Sequence, residues 1–339
     1  MSRSESSWRF APLWGALALL GLAFVSLSLG RLGIDPGEVL AVSLRRLAGD
    51  FTEAPSRAEI VLWNVRLPRV LAAVSVGAAL SAAGAAYQGL FHNPLAAPDV
   101  LGVSAGASLG AMLGLFFSLP VAAVQGLAFA GGLSAVAVVQ AIAALVRQRD
   151  PALVLVLAGV AVSSLCGATI SLIKLLADPY TQLPTMTYWM LGSLGAVTLH
   201  DLTVTMPALV AGVVVMTLLR WRLTVLSFGD EDARALGLDV AWLRGVFIAA
   251  ATLVTAAAVS ISGVIGWIGL VIPHVARLVA GPDFSRLLPV ALLLGGAFLL
   301  VVDTLARSVM DIEIPLGILT AVVGAPFFLF LLARGERGW

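Results

Sequence analysis

The sequence has 339 residues, of which 60% are hydrophobic and only 12% charged, with a formal net charge of +1. Soluble globular chains carry about a quarter charged residues, so an aqueous fold is excluded, and the near-zero charge gives no reason to expect nucleic acid as a partner. The single cysteine, Cys166, excludes an intrachain disulfide and leaves no thiol set for a metal.

A membrane-crossing helix needs about 20 apolar residues, so charge-free blocks mark the crossings. Phe10–Gly30 is the first. Arg3 and Arg9 ahead of it imitate a signal peptide, but the block exceeds an h-region of about 7–15 residues, so a retained span is expected. Residues 31–69 form the longest outer loop. Within it, Asp35-Pro36-Gly37-Glu38 reads as a helix start, and Ser56 to Glu59 has the capping-box spacing, which predicts two short helices over about 34–66.

Val70–Phe91 is the second crossing, with Gly77, Ser81, Gly84 and Ala85 along one side, where small residues let helices approach closely. Asn93-Pro94-Leu95-Ala96 then breaks the chain. Proline there forces non-helical backbone, tolerated at membrane depth only inside protein or along a cavity. Val100–Val146 is long enough for two crossings, with a break at Ser118-Leu119-Pro120. Pro151–Ile173 and Leu202–Leu219 follow. Gly245–Ala276 holds one and a half to two, broken near Gly263, Gly266 and Gly269, and Leu287–Ala306 and Ile314–Ala333 finish the chain. Eight to ten helices in one all-α membrane domain over residues 1–339 are predicted.

The connecting stretches sort by charge. The N-terminus, Arg147 to Arg149, Arg220 to Arg244, Arg277 to Arg286 and the tail carry 12 basic residues, against 8 on the other side. That excess places both termini in the cytoplasm. Arg69 to Pro94 and Arg244 to Pro273 both run from an arginine through a small-residue helix to a proline break, the pattern of an inverted repeat.

Some chemistry is missing. The only lysine, Lys174, follows Ile173, so no nucleotide-binding Gly-Lys-Ser/Thr loop exists in this chain. No acid pair marks a proton or ion path at mid-membrane. His92, His200 and His274 are far apart in sequence and read as interfacial or packed residues rather than metal ligands.

Four segments are more specific. The first is Arg66-Leu67-Pro68-Arg69 with the small-residue span and Gln88 to Ala96, and the second is Leu101-Gly102-Val103-Ser104-Ala105-Gly106-Ala107. Phe228-Gly229-Asp230-Glu231-Asp232-Ala233-Arg234-Ala235-Leu236-Gly237-Leu238 is the third. The last is Gly269 to Leu278, followed by Asp303 to Arg307 and Pro315-Leu316-Gly317-Ile318. Together, from about Ile34 to Arg334, the chain resembles the permease family of type II ATP-binding-cassette importers, which take up iron-siderophores, haem, cobalamin and related metal chelates. The resemblance implies a ten-span subunit working as a dimer. It also implies two copies of a separate ATPase inside, which carry the ATP and Mg, and a substrate-binding protein docking outside. No cofactor, metal site or catalytic residue is implied in this chain.

The resemblance assigns roles residue by residue. The segment of about 221–243 is the coupling segment, with Gly229, Asp230, Glu231, Ala233, Leu236 and Gly237 as its contact positions. The acids suit a helix N-terminus, Gly237 suits the position after its end, and Ala233 and Leu236, three apart, are expected to face one way. An ordinary solvated turn is the alternative. Arg66, Arg69 and Arg307 are expected to meet acidic residues of the binding protein; headgroup anchoring, or an internal pair such as Asp303 with Arg307, is the competing reading. Asn93, Pro94 and Leu95 belong to an inner gate, with the turn at Asp150–Leu153 as companion, or form a purely structural turn. Two other functions stay open: a gradient-driven secondary transporter, and a permease of the same kind for an oxyanion such as molybdate.

Overall fold

The computed structural model describes residues 4–30, 33–49, 56–146 and 151–334. The chain enters as α1 (Ser4–Ser28), then α2 (Pro36–Leu47) and α3 (Arg57–Val61), which runs through one π turn at Leu62–Arg66 into α4 (Leu67–Phe91). A 3-10 turn at Pro98–Leu101 precedes α5 (Val103–Phe116), α6 (Val121–Leu145) and α7 (Pro151–Leu176). Then come α8 (Gln182–Leu191), α9 (Leu199–Leu218), α10 (Arg220–Leu226), α11 (Asp230–Ala235) and α12 (Val240–Ser262), and α13 (Ile268–Ala280), α14 (Phe284–Ser308) and α15 (Leu316–Arg334) complete the chain. Six stretches are long and apolar enough to cross a membrane, Arg57–Phe91 being the longest, and four shorter apolar helices lie in α1, α5, α13 and α15. Among the described residues the six long stretches and the four shorter ones together number ten, the upper limit of the predicted count.

The local signals behave as their chemistry requires. The Asp35 carboxylate accepts from Gly37 N at 2.8 Å and starts α2, and Ser56 Oγ accepts from Glu59 N at 3.1 Å and starts α3. The second predicted outer helix has no turn after it, since no helix breaker separates Val61 from Leu67 and Pro68 sits at the tolerated start of α4. The break at Phe117 to Pro120 separates α5 from α6. A short helix that no hydrophobic block announced, α8, follows a turn at Asp178. The Thr181 hydroxyl and the Thr181 and Tyr180 amides donate to its carboxylate and hold it below the usual carboxylate range.

Glycine decides how close the helices come. A Cβ on Gly77 would lie 2.2 Å from Gly295 O, and one on Gly84 would lie 1.9 Å from Gly269 O, so α4 meets α14 and α13 backbone to backbone. Gly106 and Gly131 make the same reciprocal approach between α5 and α6, at 2.4 and 2.3 Å. Lipid offers no hydrophobic drive for association, so such backbone contact supplies the packing.

Contacts fix two ends. Arg69, the end of α1 and the end of α14 share one. His92, α10 and the start of α14 share the other. Following the crossings, α1 begins and α15 ends at the His92 end, together with Leu145, α10, α11 and Ala280. Every stretch of the more basic set that the structure describes is therefore on one face.

One sequence expectation is corrected. Pro273 does not break the second repeat; it lies inside α13, and the interruption falls earlier, at Gly263–Trp267. A proline in a helix removes one amide donor, here the partner of the Gly269 carbonyl, and that carbonyl faces the Cβ-less Gly84. The interruption needs glycine because Gly263 has φ +66° and its missing Cβ would meet Trp189 O at 2.2 Å. With this shift, α4 and α12 run in opposite directions, each followed by an interruption and a short helix, α5 or α13.

Candidate functional site

The first candidate group is the arginine set at one end. Arg69 donates from Nε to Asp303 Oδ1 at 2.8 Å, and from its two terminal nitrogens to both oxygens of Glu313 at 3.0 and 2.7 Å. Arg307 Nε lies 3.5 Å from the other Asp303 oxygen, and its terminal nitrogens donate to Leu29 O and Ser26 Oγ at the end of α1. Arg66 donates to Ser28 O at 3.0 Å and also to Leu27 O. Asp303 is fully enclosed, whereas the Glu313 side chain keeps 35% of its surface. Arg66 and Arg69 are themselves buried. The structure thus brings all three predicted arginines together, along with the expected Asp303–Arg307 pair. They are turned inward on the chain's own carboxylates and carbonyls, and Glu313 is the most exposed member of the set. The sequence reading missed Glu313, which follows three exposed loop residues and has no helical spacing to Arg69.

The second group lies at the opposite end. Gly229 (φ +126°) opens α11, and Gly237 (φ +80°) follows it. Leu238 N donates to Ala233 O at 3.0 Å and Gly237 N to Arg234 O at 2.9 Å, the paired bonds of a Schellman cap. Asp230 pairs with Arg244 at 2.8 Å and with Arg234 at 3.6 Å. Glu231 and Asp232 are exposed. Here the structure overturns one expectation: Ala233 and Leu236 do not share a face. Ala233 is fully buried, while Leu236, already the cap residue beyond the last turn, is 66% exposed. Phe228 and Trp242 are exposed nearby.

The third group is the pair of chain interruptions. His92 closes α4 in the left-handed region, and its Nε2 lies 3.1 Å from Leu226 O. Asn93 Oδ1 accepts from Leu95 N at 2.9 Å, an Asx turn that carries Pro94 and leaves Leu95 exposed. Asp150 lies outside the described residues, so its pairing with this turn is not described. A cavity of about 730 Å³ opens beside the turn, lined by His92, His274, Arg277 and Gln88 among others. Two histidines distant in sequence thus share one wall. Among the described residues no three His, Cys, Asp or Glu side chains gather as a metal would require.

Deeper in the bundle, a second cavity of about 240 Å³ lies between the two interruptions, bounded by Ala97–Asp99 on one side and Ile265–Trp267 on the other. Trp267 holds φ +72°, a region costly to a bulky residue, and packs against Gly324 of α15. Asp99 faces this cavity and accepts a hydrogen bond from Ser104. Sequence reasoning passed over Asp99 because it sits one residue before the charge-free block and reads as loop.

These features can be set beside known proteins. The model of the FecCD transport family matches residues 18–334. The chain belongs to the FecCD transport family. It is 44% identical over 283 residues to the cobalamin import system permease protein of Halobacterium salinarum, covering 83% of this chain and 76% of that one. It is 36% identical to the molybdate import system permease protein of Haemophilus influenzae, covering 96% of each. It is 38% identical to the hemin transport system permease protein of Yersinia pestis, covering 93% and 95%. A solved structure described as an inward-facing conformation of a metal-chelate type ABC transporter superposes with a TM-score of 0.84 at 33% identity, covering 95% of this chain and 98% of that one. This FecCD chain is a multi-pass membrane permease, and its helical architecture is that of an ABC transporter subunit.

Proposed function

We propose that this chain is the membrane subunit of an ATP-driven importer that carries a metal chelate, such as an iron-siderophore, haem or cobalamin, across a prokaryotic cytoplasmic membrane. The observation that carries the reading is the FecCD match over nearly the whole chain, joined to a surface at the His92 end suited to a driving partner. That surface is α11, a short charged helix closed by glycine at both ends, with Phe228, Leu236 and Trp242 exposed around it. A secondary carrier has no use for such an element. Two copies of this chain form the path between them. Two ATPase subunits, holding ATP and Mg, press on α11, and both termini lie on that cytoplasmic side with the more basic loops.

The opposite end receives a substrate-binding protein. Arg66, Arg69 and Arg307 set three guanidiniums against Asp303 and Glu313, leaving one positive charge in excess at a mouth facing outward. An acidic group of the binding protein reaches Arg69 by taking the place of the half-exposed Glu313. The Asn93-Pro94-Leu95 turn, exposed at the inner end of α4, belongs to the inner gate.

Reconstitution in liposomes with the partner ATPase and binding protein tests the reading. Uptake of labelled cobalamin or a ferric chelate is expected to require ATP and to survive ionophores that collapse ion gradients. Uptake that follows the gradient and ignores ATP overturns it.

A further inference from the structure

Asp99 is the one charged side chain on the wall of the cavity between the two interruptions. The position is unusual for a carboxylate. Its neighbours there are Leu80 in the middle of α4, Thr255 in α12, and Ile265, Gly266 and Trp267 in the second interruption. Pro98, its predecessor, touches the place where a Cβ of Gly269 would be, and the next residue's carbonyl presses on Gly159 of α7. The turn that carries Asp99 is therefore wedged among four crossing helices at membrane depth, far from both ends. Yet the carboxylate is exposed to the cavity rather than sealed. Among the described residues no basic side chain pairs with it, and Ser104 is its hydrogen-bond partner. Contrast Asp303, which is fully enclosed and has two arginines.

A carboxylate at membrane depth is costly unless something offsets its charge, and such residues line substrate and ion paths. Ser104 supplies one donor from within the protein, and the open side of the carboxylate faces the cavity. We propose that Asp99 and Ser104 form a subsite on the transport path that accepts cationic or hydrogen-bond-donating groups and disfavours anionic ones. The inference rests on the permease reading above and narrows its cargo to neutral or positively charged chelates, against small oxyanions. The cavity of about 240 Å³ is too small to enclose a whole chelate, so the subsite touches one polar edge of the cargo as it passes. The turn is held at this point by a contact of the Val100 carbonyl on Gly159 that no larger residue permits, and by a close contact of Pro98 on Gly269.

The test reads charge preference without turnover, so its outcome is separate from whether ATP drives uptake. Cys166 is the only native cysteine, and Cys166→Ser clears the background. Gly266→Cys places a thiol on the cavity wall where a Cβ meets nothing within 4 Å, and Ser104→Cys gives a second reporter beside Asp99. The full chain, assembled with its partners in nanodiscs, is treated with a trimethylammonium or a sulfonate methanethiosulfonate reagent. Rates are compared with those of a free thiol.

The cationic reagent is expected to gain about tenfold at both positions over its free-thiol ratio, the scale of one unit charge at close range in a partly wet cavity. Adding Asp99→Asn is expected to remove the gain. Slowing of the cationic reagent by sodium chloride, relative to N-methylglucamine chloride at equal ionic strength, assigns the subsite to a free small cation. Absence of that slowing assigns it to a group on the cargo. Neither reagent reaching either thiol, or a ratio unchanged by Asp99→Asn, overturns the proposal.

Discussion

The two ends of this permease handle charge in opposite ways. At one end Arg66, Arg69, Asp303, Arg307 and Glu313, from the π turn before α4, α4 itself, α14 and the connector before α15, are folded together, with Asp303 fully enclosed. At the other end Asp230, Arg234 and Arg244 pair at the surface beside exposed Phe228, Leu236 and Trp242. A buried ionic network stands or falls as a unit, because removing one member strands a charge in low dielectric. Solvated pairs contribute little to folding, and exposed apolar side chains are free to be covered. One end therefore encloses its charges in a network that fixes geometry, and the other leaves its pairs solvated and its apolar side chains uncovered.

The largest expected effect strikes the first end. Asp303→Ala leaves Arg69 and Arg307 facing each other with only the half-exposed Glu313 nearby, and is expected to cost about 3–5 kcal/mol. Asp230→Ala at the other end removes a partly solvated pair and is expected to cost at most about 1 kcal/mol. Thermal unfolding of the purified chain in detergent compares the two. Equal losses would break the contrast between the ends. Replacing the pair together, as Arg69→Met with Asp303→Leu, is expected to recover only part of the loss, since the apolar pair needs no counter-charge but Arg307 and Glu313 lose theirs.

A smaller effect sharpens the comparison within one helix. Gly77 and Gly89 both lie in α4, nearer opposite ends. A Cβ on Gly77 meets the Gly295 carbonyl at 2.2 Å, which is backbone and cannot yield. A Cβ on Gly89 meets Leu223 at 3.4 Å, an ordinary contact. Gly77→Ala is expected to cost about 1–3 kcal/mol by overpacking. Gly89→Ala is expected to be neutral or slightly stabilising, because alanine suits a helix interior better by about 0.5–1 kcal/mol. The same melting assay decides, and tolerance of Gly77→Ala would mean that α4 and α14 are not in backbone contact.

The sequence made the crossings legible because lipid imposes length and apolarity on every one of them. The break at Ser118 to Pro120, the caps at Asp35 and Ser56, and the glycine-bounded α11 were readable for the same reason: each has a local chemical signal. What stayed hidden depends on contacts between distant segments. Glu313 meets Arg69 across 244 positions, and nothing near Glu313 announces it. Asp99 looks like a loop acid until α12 and α13 close around it. Pro273 misled because a proline inside a helix costs one bond, and the Cβ-less Gly84 opposite makes room for the carbonyl that it frees. Leu236 misled because helical spacing was applied one residue past the helix end.

That last correction yields the smallest effect on folding and the clearest one on assembly. Ala233 is enclosed at the base of α11 and Leu236 is 66% exposed, so two positions three apart serve different purposes. Ala233→Glu buries a carboxylate without a partner and is expected to lower the melting temperature of the isolated chain. Leu236→Ser touches no packed neighbour and is expected to change folding stability by less than about 0.5 kcal/mol. If α11 receives the ATPase, Leu236→Ser nevertheless removes an apolar anchor from that interface. Co-purification of the ATPase and the stimulation of its hydrolysis by the binding protein should both fall, with the melting curve unmoved. Undiminished coupling in Leu236→Ser would place the ATPase contact elsewhere on this face, on Phe228 and Trp242, and reduce α11 to a strut beneath them.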